Sequence, residues 1–422
     1  MERIKNQTSI IKSYTLSKNR IDYEDLMPQL EGYFGEVPLG GKDTFINIPM
    51  VVAPFQIENL DRLSQLLNEA IQKIVSNYFN DVRIRNIYQL DKGLESILKQ
   101  AESVPYKVGM YRPDFIFDKN GQPKICEIGC RYPINGWMLS YYTRLIFDKL
   151  STENNMKWID VYESNQFLTT ISKDFNVKKT VYYVHDLEGG TEAYQFFNEL
   201  ANIGFTVKDI SPKELTLKNG KLSVNDQIAD QFIVEMDREE LKQINPKIRQ
   251  ALIESEKCLN DFRTLILVHD KRVLSVLFDD EIMGDYLETE DYNFLKRFLI
   301  PSYILDSEEK RNKFIHLNKN CLLKKNSGGR GIGIYVKNEC SSETWEKVIL
   351  NQWKEYMLQE YVDQKVFNIE REGETKNVNM VGMLLCYDNK SYGPGIFRAS
   401  SKSIINVHSG GYILPTVISK ES

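Results

Sequence analysis

The feature that most constrains the fold of this chain is a glycine-dense segment between two apolar stretches. One stretch ends at Lys324 and Lys325, and the next begins at Ile334; between them stands Asn326-Ser327-Gly328-Gly329-Arg330-Gly331-Ile332-Gly333. Glycines let backbone N–H groups approach phosphates closely, and a neighbouring lysine supplies a positive charge. The order strand, loop, strand differs from that of a P-loop, in which a helix follows. The segment therefore predicts a flap over nucleotide phosphates, with a plain glycine turn as the alternative.

A second constraint is a pair of acidic residues on either side of a predicted hairpin turn. Asn120-Gly121 is a strong two-residue turn signal, and with these residues at its centre Asp114 lies directly opposite Glu127. Directly opposed carboxylates, with Cβ atoms about 5 Å apart, repel each other. Mg²⁺ is the natural compensating charge, because it binds one or two carboxylates together with substrate phosphates. The hairpin thus predicts a magnesium site, and a solvated hairpin with two unrelated acids is equally compatible.

Later segments carry further residues that suit a nucleotide site. The predicted strand from 356 to 362 could pair its backbone with an adenine edge, although read alone it is an ordinary strand. Arg398 and Asn406 could meet a transferring phosphate and a metal ion, unless they belong to an ordinary polar loop. A guanidinium group can donate two parallel hydrogen bonds to a carboxylate or a phosphoryl group. We therefore predict Arg398 first, and Arg131 second, as the residue that clamps the substrate.

The composition bounds the class of protein. A chain of 422 residues usually divides into two or three domains, and 42% hydrophobic residues suffice for large cores. The formal charge of −5 provides no attraction for nucleic acid. Neither a signal-peptide pattern nor an apolar run of about 18 residues is visible. We therefore expect a cytoplasmic enzyme with neither nucleic acid nor a membrane as partner.

Changes in apolar periodicity divide the chain into three parts. Residues 57–101 have helical spacing, residues 178–235 alternate between strand and helix patterns, and strands dominate after Cys321. Gly189-Gly190 follows a strand and precedes a helix, so it could bind an anion there, although a plain turn is favoured. We predict an α+β chain with an N-terminal region at 1–176, a Rossmann-like module at 177–258 and a nucleotide-binding region at 259–422.

The motifs together resemble the ATP-grasp superfamily, in which two α+β subdomains grip ATP between them. The matching positions are Asp270-Lys271, Leu323-Lys324, Ser327 to Gly333, Gln359 to Val362, Arg398 and Asn406 to Gly411. In most members the acidic metal ligands follow the glycine-rich loop. Here Asp114 and Glu127 precede it, as in circularly permuted ATP-grasp ligases. The resemblance thus implies a circularly permuted ATP-grasp fold with a Rossmann-like module.

The resemblance also implies roles for individual residues. The ATP-binding set would be Lys271, Lys324, Ser327, Gly328, Gly329, Arg330, Gly331, Gln359, Glu360, Tyr361 and Val362, with the lysines and glycines at the phosphates and the last four residues at adenine. Asp114 and Glu127 would hold magnesium. The family pattern Glu-x-Asn becomes Glu127-Ile-Gly129 here, so Asn135 or Asn406 would have to replace the missing asparagine.

The activity that the resemblance implies is ligation of a carboxylate at the expense of ATP. Transfer of the γ-phosphoryl group makes the carboxylate an acyl phosphate, which an amine or thiol then attacks. Chain length and motif order resemble the butirosin acyl-carrier-protein glutamate ligases, which implies L-glutamate as acid, an acyl carrier protein as partner and antibiotic biosynthesis as context. The alternatives are an amide-forming ligase resembling glutathionylspermidine synthetase and a nucleotide-binding protein without catalysis.

Overall fold

The computed structural model describes residues 14–35, 43–156, 158–159, 165–187, 190, 192–329, 331–371, 373–407 and 410–419. Its helices are α1 (Tyr23–Phe34), α2 (Pro54–Ser76), α3 (Val82–Tyr88), α4 (Lys92–Ala101), α5 (Trp137–Glu153), α6 (Asn165–Ser172), α7 (Ala193–Asn202), α8 (Arg238–Gln243), α9 (Pro246–Ile253), α10 (Val273–Leu277), α11 (Asp280–Tyr286), α12 (Thr289–Lys296), α13 (Glu308–His316) and α14 (Ser342–Asn351).

The strands are β1 (Tyr14–Leu16), β2 (Met50–Val52), β3 (Met110–Phe117), β4 (Pro123–Gly129), β5 (Trp158–Ile159), β6 (Val181–Val184), β7 (Val207–Ile210), β8 (Thr216–Lys218), β9 (Lys221–Val224), β10 (Gln227–Ile228), β11 (Gln231–Val234), β12 (Lys257–Cys258), β13 (Ser302–Ile304), β14 (Cys321–Lys325), β15 (Ile334–Val336), β16 (Tyr356–Glu360), β17 (Phe367–Arg371), β18 (Glu374–Tyr387), β19 (Lys390–Ser400), β20 (Tyr412–Leu414) and β21 (Thr416–Ser419). This mixture of helices and several sheets agrees with the predicted α+β class.

The longest strands form an antiparallel sheet that joins distant parts of the chain. Its order is β20-β19-β18-β3-β4, and β17 also pairs with β18. Strands β3 and β4 form the acidic hairpin, residues 110–129, and come from the N-terminal third of the chain. They lie beside strands from near its C-terminus. Circular permutation of an ATP-grasp domain, which this adjacency suits, stays a prediction.

A smaller antiparallel sheet, with the order β13-β16-β14-β15, carries the glycine loop, residues 326–333. Leu323 and Leu358 are paired neighbours and belong to the apolar core that contains side chains of α13 and α14. Lys324 and Met357 are also paired, one residue further along, so they lie on the opposite face. Period-two alternation therefore separates a face packed against helices from a face that carries Lys324 towards the acidic hairpin.

The segment for which an α/β module was predicted contains a parallel sheet with the order β12-β11-β6-β7. Every residue of β6 and of β11 is buried, as is typical of a parallel strand covered on both faces. Strand β7 pairs with one side of β6 and β11 with the other. The chain first adds β7 on one side of β6 and later adds β11 and β12 on the other side. The direction in which strands are added therefore reverses between β6 and β11. Residues 181–258 are called the α/β module below, and the domain boundaries stay a prediction.

Helices cover the large sheet on the side of the main core. The α2 stripe predicted from sequence, including Leu60, Leu63 and Ile71, is buried as expected. A π-helix at Thr264–Val268, buried throughout, leads into Asp270 and Lys271. Within the residues described above, no helix has the length and apolar character needed to span a membrane.

Candidate functional site

The acidic hairpin places Asp114 opposite Glu127, which confirms the predicted pairing. The turn itself differs, because residues 118 and 122 are hydrogen bonded and leave three residues between them, with Gly121 at φ +81°. A three-residue turn moves the register by one position. The irregularity after Asp114, where Cys126 is the extra residue of β4, restores it. Two departures from the predicted geometry thus cancel, and the two carboxylates share one face.

Arg398 neutralises Asp114. Its Nη2 donates to Asp114 Oδ2 across the intervening strand β18, and the two side chains are 25% and 13% exposed. Burial raises the pKa of Asp114, while the charge of Arg398 opposes that rise. The Nε of Arg398 is buried and has no hydrogen-bond partner among the described residues. The guanidinium group of Arg398 therefore provides part of the positive charge that the opposed carboxylates require. Its Nε remains available as a donor.

Two lysines lie beside Glu127. Lys271 Nζ is 3.5 Å from Glu127 Oε2 and also donates to the carbonyl oxygen of Gly328 at 2.8 Å. Lys324 Nζ donates to the carbonyl oxygen of Cys126 at 2.9 Å. Burial acts to raise the pKa of Glu127, but the charges of Lys271 and Lys324 outweigh it and lower this pKa to about 2. Glu127 is therefore ionised, and Lys271 directly links the acidic hairpin to the glycine loop.

The base of the glycine loop is held in place. The Lys271 N–H donates to the carbonyl oxygen of Asn326 at 2.8 Å. Ser327 Oγ accepts from Arg238 Nη2 at 2.8 Å. Gly328 follows with its carbonyl bound by the Lys271 side chain. Three successive residues are thus fixed by groups outside the loop, which positions the glycines that follow.

The rest of the loop is open on one side. No atom lies within 4 Å of the position that a Cβ would take on Gly328 or Gly329. Gly331 has φ +73°, and a Cβ there would approach Ile404 to 2.9 Å. Arg330, predicted to bind nucleotide, lies outside the described residues. The glycine loop therefore has space over Gly328 and Gly329, and its far end packs against the segment after β19.

The predicted adenine strand ends at Glu360, so Tyr361 and Val362 lie beyond it. The N–H groups of Glu360 and Tyr361 already donate to the carbonyl oxygens of Pro301 and Asn320. The Glu360 carboxylate pairs with Lys319 at 2.5 Å. Backbone contact with adenine through these two N–H groups, as the strand suggested, would require the existing hydrogen bonds to break.

Gln359 can contact a base through its side chain instead of its backbone. Its side chain is fully buried, and its Nε2 donates to Ser302 Oγ at 3.0 Å. That hydroxyl donates its one proton to the carbonyl oxygen of Ile300 at 2.9 Å, so it can only accept from Gln359. The amide orientation is thereby fixed. Its Oε1 has no partner among the described residues, which leaves a buried acceptor for an N–H donor.

Arg131 and Asn406 are predicted site residues whose described contacts do not include the acidic hairpin or the glycine loop. Arg131 lies over the Tyr132 ring at 4.5 Å and is 3.6 Å from Asp237 of the α/β module, so its described contacts lie towards that module. Asn406 lies between β19 and β20, and its carbonyl oxygen accepts from Gly411 at 3.2 Å. The clamp role of Arg131 and the metal role of Asn406 stay predictions.

The turn considered as an external anion site already contacts an acidic side chain of the protein. Gly190 N–H donates to Glu235 Oε2 at 2.7 Å, and Tyr183 OH donates to the same oxygen at 2.8 Å. Glu235 is fully buried. Gly189 lies outside the described residues. At Gly190 the anion-binding interpretation is therefore wrong, because its N–H already donates to the carboxyl group of Glu235, whose pKa is raised by burial.

Comparison with known proteins bears on the fold. A glutathione synthetase-like effector from Globodera pallida, solved in its apo form, aligns with a TM-score of 0.56 at 11% identity, covering 94% of this chain and 98% of that one. The two chains therefore share an overall fold. D-alanyl-alanine synthetase A from Vibrio cholerae aligns with a TM-score of 0.28 at 13% identity, over 50% of this chain and 68% of that one.

The sequence comparisons are sparser. A family model described as the AnkG N-terminal domain matches residues 63–267, which is less than half of the chain. The matched range runs from α2 through the acidic hairpin and the α/β module to the π-helix. No curated protein sequence matches.

The acidic hairpin can be tested as the magnesium site that the sequence predicts. No group of three or more His, Cys, Asp and Glu side chains within the described ranges is placed to hold a metal ion. Beside Gly129, where the family pattern has asparagine, a Cβ would lie 3.0 Å from Arg112 Nη2, so a guanidinium takes that space. Asp114 and Glu127 are the two available donors. Magnesium accepts such a pair when phosphates and water complete its shell, so the residues fit it together with a nucleotide.

Sequence reasoning gave no role to three residues of this site. Arg112 is buried and donates to the carbonyl oxygen of Tyr132 at 2.8 Å. Arg238 comes from the α/β module to the glycine loop. His269 Nδ1 accepts from the Cys130 N–H at 3.4 Å. The available signal was weak: Arg238 follows the helix-capping residue Asp237 shortly after a buried strand, which places it near the carboxyl edge of a parallel sheet.

Protonation of His269 should weaken the fold in mild acid. Burial, aided by the charge of Lys271, lowers the pKa of His269 to about 4, whereas an unfolded histidine titrates near about 6.5. Between these values the unfolded chain binds the extra proton, so stability falls as the pH falls from about 6.5 to 4. We expect His269→Gln to reduce this slope, measured as urea midpoint against pH. A slope identical to that of the unsubstituted protein would contradict the assignment.

Proposed function

We propose that this protein is an ATP-dependent ligase that activates a carboxylate as an acyl phosphate and transfers the acyl group to an amine or thiol. The observation that carries the proposal is Lys271, whose ammonium group lies between Glu127 and the carbonyl oxygen of Gly328. It joins the predicted metal-binding and phosphate-binding parts within one side chain. The motifs that resemble the ATP-grasp superfamily, and the fold shared with a protein named as glutathione synthetase-like, support the same class.

The charge of each residue indicates its proposed role. Lys271 and Lys324 would neutralise the nucleotide phosphates, since both ammonium groups lie beside the acidic hairpin and the glycine loop. Asp114 and Glu127 would hold magnesium, which when bound would polarise the phosphate oxygens. Arg398 has a buried, unpartnered Nε among the described residues and so can donate to the acyl phosphate. Gly328 and Gly329 would cover the phosphates and exclude water.

The proposal extends to the acid and the acceptor. An amino acid is the proposed acid, and L-glutamate loaded onto an acyl carrier protein is the specific form that the sequence suggested. Such a carrier would need a basic docking surface. In the basic run on α13, Lys310 pairs with Asp306 at 2.8 Å and Arg311 lies over the Trp353 ring at 4.6 Å. Because these charges have partners within the protein, a small amine is the acceptor to test alongside a carrier thiol.

A second candidate is a nucleotide-binding protein without catalysis. It is favoured by the guanidinium groups at the metal position: Arg398 pairs with Asp114, and Arg112 fills the space beside Gly129. Such a protein would bind the nucleotide and leave its phosphates intact.

The deciding experiment measures ADP and AMP release across a panel of amino acids, with MgATP and hydroxylamine as a surrogate acceptor. The ligase predicts acid-dependent ADP and a hydroxamate product. AMP in place of ADP would indicate adenylation and contradict the acyl phosphate. Nucleotide binding without acid-dependent turnover would favour the second candidate. Adding a phosphopantetheine-bearing carrier separates the acceptors, because hydroxylamine cleaves a thioester and leaves an amide intact.

Gln359 should select the base. The 6-amino group of adenine can donate to the unpartnered Gln359 Oε1, whereas the 6-oxo group of inosine or guanosine would place two acceptors together. We expect the unsubstituted protein to prefer ATP over ITP, and Gln359→Leu to reduce that preference by about tenfold to a hundredfold. Dissociation constants from calorimetry give the ratio. Glu360→Gln is the matched control, since that side chain pairs with Lys319; an unchanged ratio in Gln359→Leu would remove Gln359 from the base site.

A further inference from the structure

Arg238 reaches the glycine loop from a different part of the molecule. It is the first residue of α8, follows the capping residue Asp237 of the α/β module and lies shortly after β11 in the sequence. Its Nη1 is 2.6 Å from Asp270 Oδ2, and its Nη2 donates to Ser327 Oγ at 2.8 Å. The side chain is 18% exposed. One guanidinium group therefore contacts both the residue before Lys271 and the base of the glycine loop.

The carboxylate of Asp270 does not require Arg238 for neutralisation. Arg272 Nε is 2.9 Å from Asp270 Oδ1 and Arg272 Nη2 is 2.6 Å from Oδ2, which is a complete two-pronged pair. The Arg272 N–H adds a third hydrogen bond to Oδ1 at 3.0 Å. Two guanidinium groups thus face one buried carboxylate. The surplus positive charge lies on the side of Arg238, which is the side of the glycine loop.

Arg238 also has an unsatisfied donor. Its Nε is buried and makes no hydrogen bond to any described residue. The Glu239 carboxylate has its Oε1 3.9 Å from Nε, beyond hydrogen-bond distance, and its side chain is 61% exposed. Such an exposed contact contributes little in water. A charged donor left without a partner beside a glycine loop suits an anionic ligand.

We propose that Arg238 binds the terminal phosphate of the nucleotide, so that the α/β module determines the preference for a triphosphate over a diphosphate. The proposal rests on the proposed function, because it takes the glycine loop as the phosphate site. Lys271 Nζ, at the carbonyl oxygen of Gly328, and Arg238, at Ser327 Oγ, approach adjacent residues of the loop. The two cations lie on the same part of the loop, and a terminal phosphate there would replace the serine hydroxyl as a ligand of Arg238.

The test is nucleotide selectivity in an Arg238→Gln variant. Dissociation constants for ATP, ADP and AMP are measured by calorimetry at fixed MgCl₂. We expect ATP binding to weaken about tenfold or more, which corresponds to about 1.4 kcal/mol, with ADP and AMP changed less than about twofold. Lys242→Gln is the matched control: it removes one positive charge from the same helix, where Lys242 pairs with Glu239 at 2.5 Å and Asp91 at 3.2 Å.

A further variant separates a phosphate contact from a structural one. Arg238→Lys keeps the charge and should retain part of the ATP preference, which guards against a folding defect in Arg238→Gln. Equal losses for all three nucleotides in Arg238→Gln would overturn the proposal while leaving the ligase assignment intact. Absence of nucleotide binding in the unsubstituted protein would overturn the proposed function as well.

Discussion

Lys324→Ala should abolish acid-dependent ADP release while the protein stays folded. We expect a loss of at least about a hundredfold in turnover, because removing one preorganised cation from a phosphoryl-transfer site typically costs about two to three orders of magnitude. Lys324 lies on the face of the small sheet opposite the α13 and α14 core, and its ammonium group contacts the carbonyl oxygen of Cys126 in the acidic hairpin. A coupled assay for ADP, with far-UV circular dichroism for the fold, measures both parts.

Lys325→Ala is the matched control. Lys325 is the next residue of the same strand, is exposed and lies 3.7 Å from Glu355. Its removal takes away the same formal charge and should leave turnover within about twofold, since an exposed pair contributes little. If both variants lose activity equally, the effect is one of net charge. Full turnover in Lys324→Ala would place the phosphate site elsewhere.

Asp114→Asn should destabilise the free protein by about 3 kcal/mol, since removal of one partner leaves the other charge of a buried pair uncompensated. The partner is Arg398, whose Nη2 donates to Asp114 Oδ2 in a setting where both side chains are mostly buried. Repulsion between the two facing carboxylates would by itself give the opposite sign. Urea denaturation with the nucleotide omitted measures the change.

The double variant Asp114→Asn with Arg398→Met tests the reason for this loss. Removing both charges should recover much of the stability, so that the double variant is more stable than the sum of the single changes predicts. Glu127→Gln is the matched control on the opposite strand: Lys271 keeps its hydrogen bond to Gly328, and Glu127 is 33% exposed, so a smaller loss is expected. A gain in stability from Asp114→Asn would show that carboxylate repulsion outweighs the ion pair.

Local patterns were sufficient for the elements that present the site. The α2 stripe follows from helical spacing, and the pairing of Asp114 with Glu127 follows from the turn signal between two strands. These features depend on residues near each other in sequence, where chain geometry limits the possible contacts. Even here the turn has three residues, and the correct register depends on the irregularity at Cys126.

The contacts that give the site its charge balance could not be predicted in this way. Arg398 and Asp114 are 284 positions apart, and Arg238 and Ser327 are 89 apart. No periodicity or turn signal specifies which distant side chain meets which. The orientation of the Gln359 amide likewise depends on the hydroxyl of Ser302, 57 positions away.

The sequence by itself determined the glycine loop, the lysine beside it and the two facing carboxylates, because each results from residue type and local backbone geometry. Only the tertiary structure decided what neutralises those carboxylates, which buried donors and acceptors lack partners, and which module contributes Arg238. These depend on the packing of separate sheets against one another. In a densely packed interior, the partner of a charged group is set by which distant segment fills the adjacent space.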